Sequence, residues 1–195
     1  MRTIAVFDFD GTITRKDTLL EFVKFASSPR TLYASLLLFA PMIVLMKCHL
    51  LSNSWVKERF LIFVFKGWQY SEFKARGEAF ADVIDGWLRD DVISKLKAHR
   101  ADNHTIYVIS ASIDEWVSPW CRRNGVSHVL CTQVEVDSKG RITGHFKTPN
   151  CYGQEKVNRL TAVEPDRNNY YLYAYGDSKG DKQMLLFADK GENVG

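Results

Sequence analysis

Ile4-Ala5-Val6-Phe7-Asp8-Phe9-Asp10-Gly11-Thr12 decides how this chain is read. An apolar, β-branched run leads into two carboxylates two residues apart, then a Gly-Thr turn. The pattern predicts a buried strand with charge at its carboxyl end. In an open α/β sheet, ligands bind beyond the carboxyl ends of the strands. Period-two geometry puts Asp8 and Asp10 on one face if the strand stays regular that far. Like charges this close raise one pKa unless a cation sits between them. The pair points to a divalent metal or to an acid kept protonated for proton transfer. The competing reading is a β-turn with two solvated aspartates. Gly11 lets the chain turn sharply, and Thr12 offers a hydroxyl and an N–H to an anion.

The chain has 195 residues, 46% apolar and 25% charged, which fits one core domain plus an insertion. A net charge of +3 is too small to imply nucleic acid, and no basic-aromatic interleaving marks a single-strand binding face. Cys48, Cys121, Cys131 and Cys151 are widely spaced, with no Cys-x-x-Cys. That spacing argues against a zinc site or a disulfide framework, so reduced thiols in a cytoplasmic compartment are expected. The strand-like start, acidic by Asp8, is not a signal peptide.

Beyond Thr12 the pattern turns helical. Asp17 or Thr18 can cap a helix carrying Leu19, Phe22 and Val23, and Ser28-Pro29 starts another. Leu32 to Met46 is fifteen residues without a charge, with Pro41 inside. A spanning helix needs roughly twenty apolar residues, and a single crossing would separate Asp8 from everything after residue 50. Phe60 to Phe65 is too short to return the chain. A helical hairpin over 32–65 dipping into one leaflet keeps both halves on one side, as a peripheral contact on the inner face of a membrane. From Lys24 to Tyr70 six cations face one acid, net +5, and Trp55, Trp68 and Tyr70 lie among them. This composition suits an anionic surface. A buried helical core with a solvated basic rim is the alternative.

Residues 71–99 read as further helices, with Asp90 or Asp91 as an N-cap. Thr105 to Ser112 is a second buried strand ending in hydroxyl residues, and Ser112 or Asp114 would cap the helix after it. Val129 to Val136 reads as one strand, followed by a turn and a return over Ile142 to Phe146. Asn150 to Lys156 opens a helix with Val157 and Leu160 on its inner face, and Lys156 stands at its start, where a lysine is usually a surface residue. Tyr170 to Gly176 is the last strand, and Asp177 and Asp181 follow it four residues apart.

Asp-Phe-Asp-Gly-Thr, a hydroxyl closing an apolar strand (Ser110), a helix lysine (Lys156) and Gly-Asp-Ser-Lys-Gly-Asp together resemble the four motifs of the haloacid dehalogenase superfamily. The likeness covers almost the whole chain and implies a doubly wound, Rossmann-like, mainly parallel α/β sheet with a helical cap inserted after the first strand. The core would be 1–14 and 88–195, and the cap 15–87. The cap is similar to that of subfamily IB, the phosphoserine-phosphatase-like branch, and more closely to bacterial phosphatidylglycerophosphate phosphatases.

The resemblance implies a phosphomonoester hydrolase. Asp8 would be the nucleophile and Asp10 the acid and base. Mg2+ would be held by Asp8, the Asp10 carbonyl and Asp177. Thr12, Ser110, Ala111 and Lys156 would bind the phosphoryl group, with Asp181 and Ser178 in support. Asp17 and Arg59 are the specificity candidates, and a lipid phosphate is the expected substrate. A soluble amino-acid or sugar phosphate, phosphotransfer to an alcohol, and a non-catalytic module on the same scaffold are the alternatives. The family implied by the resemblance usually continues past the last helix with further strands at the sheet edge, whereas Ala188 to Gly195 is short, which leaves that edge and the oligomeric state open.

Overall fold

The structure is a computed structural model describing residues 2–48 and 50–195. The chain begins with β1 (Arg2–Phe7). Four helices follow: α1 (Thr18–Ala26), α2 (Pro29–Lys47), α3 (Asn53–Phe65) and α4 (Tyr70–Ile84). Then come α5 (Asp90–Ala101), β2 (Thr105–Ile113), α6 (Asp114–Arg123) and β3 (His128–Thr132). A hairpin of β4 (Val134–Val136) and β5 (Ile142–Phe146) precedes α7 (Gln154–Val163). The chain closes with β6 (Tyr170–Gly176), α8 (Lys182–Phe187) and β7 (Lys190–Asn193).

The five-stranded sheet runs β3-β2-β1-β6-β7, and every pairing in it is parallel. The chain therefore moves outward from β1 in one direction and resumes on its other side with β6. This topological switch opens a crevice at the carboxyl end of β1, where Asp8 and Asp10 stand. Alternation along β1 divides the core. Ala5 and Phe7 join the cluster beneath the helical layer, and Ile4 and Val6 join the cluster on the opposite face.

The helices α1–α4 gather on an aromatic core. Phe22 stacks on Trp116 of α6 with centroids 4.4 Å apart, and meets Phe65, Phe73 and Phe80 at 5.3–5.5 Å. The chain leaves and re-enters the sheet side by side: Arg15 N–H donates to Trp87 O, and Arg89 N–H to Ile13 O. The β4–β5 hairpin clamps α3 from the sheet side. Gly144 passes so close that a Cβ there would lie 2.4 Å from Ile62 Cα. Phe146 N–H donates to Glu58 Oε1 at 3.0 Å.

Several local expectations are corrected. Val129 to Val136 is two strands, because the chain turns at Gln133, whose N–H is taken by Thr148 Oγ1. Asp90 and Asp91 lie inside the first turn of α5, and Arg89 occupies the cap. Ser112 and Asp114 do not cap α6; Ser112 is drawn instead to Asp10. The edge beyond β6 carries β7. α2 is 19 residues long, so the length objection to a span lapses. Pro41 is tolerated there because the carbonyl it leaves unpaired belongs to Leu37, which is 81% exposed. Nor is α2 a buried core helix: only Ser35 and Phe39 in it are buried.

Candidate active site

Asp8 continues the pairing of β1, its N–H donating to Tyr175 O at 2.9 Å. Its side chain is buried, with Oδ1 2.6 Å from Lys156 Nζ. Lys156 enters from the first turn of α7, after Gly153 at φ +64°. The lysine is only 2% exposed and also contacts Asp181 Oδ1 at 2.5 Å. Burial works against its charge, but Asp8 and Asp181 overcome this and hold its pKa above the lysine range. The surface fate usual for a lysine at a helix start does not apply.

Asp181 has both oxygens occupied. Oδ1 faces Lys156, and Oδ2 accepts from Asp177 N–H, Ser178 N–H and Ser178 Oγ. Asp177 stands across from Asp8 and accepts from Thr12 Oγ1 at 3.2 Å. Gly11, at φ +80°, lies against it: a Cβ there would fall 2.2 Å from Asp177 Oδ2. Thr12 is thus committed to Asp177 and does not line the cavity.

Asp10 sits one turn on. Its Oδ1 accepts from Thr18 Oγ1 at 2.7 Å and Thr18 N–H at 3.2 Å, and its Oδ2 accepts from Ser112 Oγ. Burial raises Asp8 to about 6, against the pull of Lys156. Burial and the charge of Asp17 raise Asp10 to about 7, against the Ser112 and Thr18 hydrogen bonds. Burial and Asp181 raise Asp177.

Oxygens of Asp8, Asp177 and Asp181 lie within 4.8 Å of one another. Lys156 offsets one negative charge of the three. An all-oxygen donor set with excess negative charge fits a hard divalent cation. Asp181 is fully buried and its Oδ2 already accepts from three donors, so Asp8 and Asp177 are the carboxylates with the most capacity left for one.

Above these groups lies a cavity of about 700 Å³. Asp8, Asp10, Ser110, Ala111 and Lys156 line its polar end. Ser110 Oγ accepts from Ser112 N–H at 3.1 Å. Leu20, Phe39, Ile43, Met46, Val56 and Phe60 make an apolar wall. Asp17 also lines the cavity while capping α1, accepting from Leu19 N–H and Leu20 N–H. Arg59 does not reach it; the side chain is exposed and lies over the Trp55 ring. From α3 it is Lys57 that lines the cavity, half-buried, with Nζ donating to Ala111 O; Lys47 and Lys179 line it as well. Burial lowers its pKa, opposed by Asp10 and Asp17. The signal was present: Val56, Phe60 and Val64 mark the inner face of α3, and Lys57 borders it while Arg59 does not. Thr18, Ser112 and Tyr152 are further neighbours of the site missed from sequence.

The chain is 31% identical over 189 residues to the protein CicA of Caulobacter vibrioides, covering 96% of this chain and 83% of that one. It is 27% identical to a probable phosphatase of Mycobacterium tuberculosis, covering 94% and 66%. The fold matches a phosphoserine phosphatase carrying a phospho-aspartyl intermediate analogue, with a TM-score of 0.66, 15% identity, and 96% and 83% coverage. The family model for haloacid dehalogenase-like hydrolases matches residues 5–186, and the chain belongs to that family.

Proposed function

We propose that the protein is a magnesium-dependent phosphomonoesterase acting through an aspartyl-phosphate on Asp8, with a lipid phosphate as substrate. The observation that carries the reading is the cavity, which joins a polar floor at Asp8, Asp10 and Lys156 to an apolar wall from α1, α2 and α3. A small polar phosphate has no use for such a wall; an acyl-bearing one does.

In the proposed reaction an Asp8 oxygen attacks phosphorus as the bond to the leaving oxygen breaks. Asp10 gives that oxygen a proton, then takes one from the water that releases Asp8. Lys156 and Ser110 hold phosphoryl oxygens, and Lys156 keeps Asp8 oriented. Asp181 and Ser178 fix Lys156 and Asp177. Mg2+, held by Asp8, the Asp10 carbonyl and Asp177, would supply charge neutralisation between the anionic nucleophile and the anionic phosphate. Residues 15–87 serve as the cap that sets specificity.

Membrane contact follows from the same helix. The face of α2 opposite Phe39 and Ile43 exposes Leu37 at 81%, Val44 at 59% and Leu45 at 40%. With the surrounding net charge of +5, this face suits the inner leaflet of an anionic membrane. A soluble amino-acid phosphate is the second reading, because Asp17 and Lys57 could pair with an amine and a carboxylate. Flotation with phosphatidylglycerol vesicles, and Mg2+-dependent phosphate release from phosphatidylglycerophosphate against phosphoserine, separate the two. Binding lost in Leu37→Glu/Leu45→Glu, with the lipid preferred, supports the lipid reading. No flotation and preference for phosphoserine would overturn it. Turnover surviving Asp8→Asn would overturn Asp8 as the nucleophile, and no Mg2+-dependent turnover of any phosphomonoester by the intact protein would favour a non-catalytic module.

A further inference from the structure

Asp10 is held by a hydrogen-bond chain that begins away from the cavity. Trp116 Nε1–H donates to Thr18 Oγ1 at 2.9 Å. Both residues are fully buried, and neither lines the cavity. An indole N–H can only donate, so it fixes the Thr18 hydroxyl as its acceptor. The single Thr18 hydroxyl hydrogen then has two candidate acceptors, Asp10 Oδ1 at 2.7 Å and Ser112 Oγ at 3.1 Å. The Asp10 oxygen is the nearer and the charged one. Ser112 in turn spends its own hydrogen on Asp10 Oδ2.

These donors saturate one side of the carboxyl group. Oδ1 takes two, Thr18 N–H and Thr18 Oγ1–H, which fill its lone-pair directions. Oδ2 takes one, from Ser112, which lines the cavity with Asp10.

We propose that Thr18 is a positioning residue for proton transfer: by saturating Oδ1 and fixing the carboxyl plane, it makes Asp10 Oδ2 the oxygen that exchanges the proton. The inference rests on the phosphomonoesterase reading. In the first half-reaction an Asp8 oxygen bonds to phosphorus, the bond from phosphorus to the leaving oxygen breaks, and the proton passes from Asp10 Oδ2 to that oxygen. In the second, water bonds to phosphorus, its proton returns to Oδ2, and the bond to Asp8 breaks. Thr18 touches none of the reacting atoms. It also ties α1 to α6, so the carboxyl plane is set only where the cap is docked.

Leaving-group dependence separates positioning from a merely structural tie. The kcat/KM value ends at loss of the leaving group, so it reports the first proton transfer alone. p-Nitrophenolate departs with little help, whereas phenolate needs a proton. Thr18→Val keeps the shape and the backbone N–H but removes the hydroxyl. It should lower kcat/KM for phenyl phosphate about tenfold or more while changing that for p-nitrophenyl phosphate less than about threefold. Thr18→Ser should restore the ratio, and Trp116→Phe should shift it in the same direction as Thr18→Val. Turnover of p-nitrophenyl phosphate is itself the control for folding. If Thr18→Val does not fold, Thr18→Ala and Trp116→Phe are read on the same ratio.

Equal losses on both probes, no loss on either, or no rescue by serine would overturn the inference. Failure of the underlying reading looks different. Asp10→Asn would then leave the ratio unmoved, Asp8→Asn would remain active, or the intact protein would turn over neither probe.

Discussion

Lys156 Nζ stands 2.6 Å from Asp8 Oδ1, with both side chains almost wholly buried. The same nitrogen contacts Asp181, so one cation serves two carboxylates, and all three side chains are buried, Asp8 and Lys156 at the floor of the cavity. Breaking such a buried pair by removing one partner costs about 3–5 kcal/mol, because the remaining charge has no compensation. Lys156→Met is expected to lose that much in urea unfolding and to abolish turnover. Adding Asp181→Asn to Lys156→Met should recover part of the stability and none of the activity. A Lys156→Met protein as stable as the parent would show that the cluster folds protonated and needs no cation.

Gly11 tests the approach of the turn to Asp177. Its φ of +80° disfavours any L side chain, and a Cβ would sit 2.2 Å from Asp177 Oδ2. Gly11→Ala should therefore push Asp177 out of place while leaving the sheet intact. The expected result is a loss of Mg2+ affinity of about tenfold or more, read by calorimetric titration of the folded protein, with circular dichroism unchanged.

How much of this was legible in the sequence depends on how local each cause was. The strand into Asp8, the Ser28-Pro29 start of α2 and the position of Asp177 follow from neighbours a few residues away. Lys156 could not be placed by position alone, because its burial depends on Asp8 and Asp181 converging in space. Thr12 was read as offering a hydroxyl and an N–H to an anion; Asp177, distant in the chain, takes the hydroxyl. The helical wheel of α3 did contain the distinction between Lys57 and Arg59. That of α2 contained none, since an apolar side chain on nearly every face gives no inward direction.

Glu115 supplies a pH dependence outside the cluster of Asp8, Asp10 and Lys156. Its Oε2 is buried with no hydrogen-bond partner among the described residues. Burial raises its pKa to about 7; Asp114 adds to the rise, while a backbone hydrogen bond, Tyr70 and Lys74 oppose it. The folded state thus holds the proton more tightly than the unfolded chain, whose value is near 4.5. The resulting stabilisation is fully present below about 4.5 and is lost as pH rises through about 7. It amounts to about 3 kcal/mol. Melts at pH 5 and pH 8 should show the parent losing more stability than Glu115→Gln over that interval. Equal losses would mean that Glu115 is ionised at both pH values.

Lys57 and Arg59 make opposite predictions for specificity. Lys57 projects into the cavity near Asp10 and Asp17, donating to the Ala111 carbonyl beside Ser110. A substrate carrying a second anion, either the phosphodiester of a lipid or a carboxylate, would meet this ammonium after its phosphate reached Asp8. Arg59 lies outside, over the Trp55 ring, where solvent screens its charge. Lys57→Ala should raise KM for a two-anion substrate about tenfold, roughly the worth of one charge-assisted hydrogen bond, and leave KM for p-nitrophenyl phosphate nearly unchanged. Arg59→Ala should alter neither. The decisive comparison is the ratio of the two KM values in each variant. A shift in that ratio with Arg59→Ala and none with Lys57→Ala would mean that the substrate binds along the outer face of α3 rather than within the cavity.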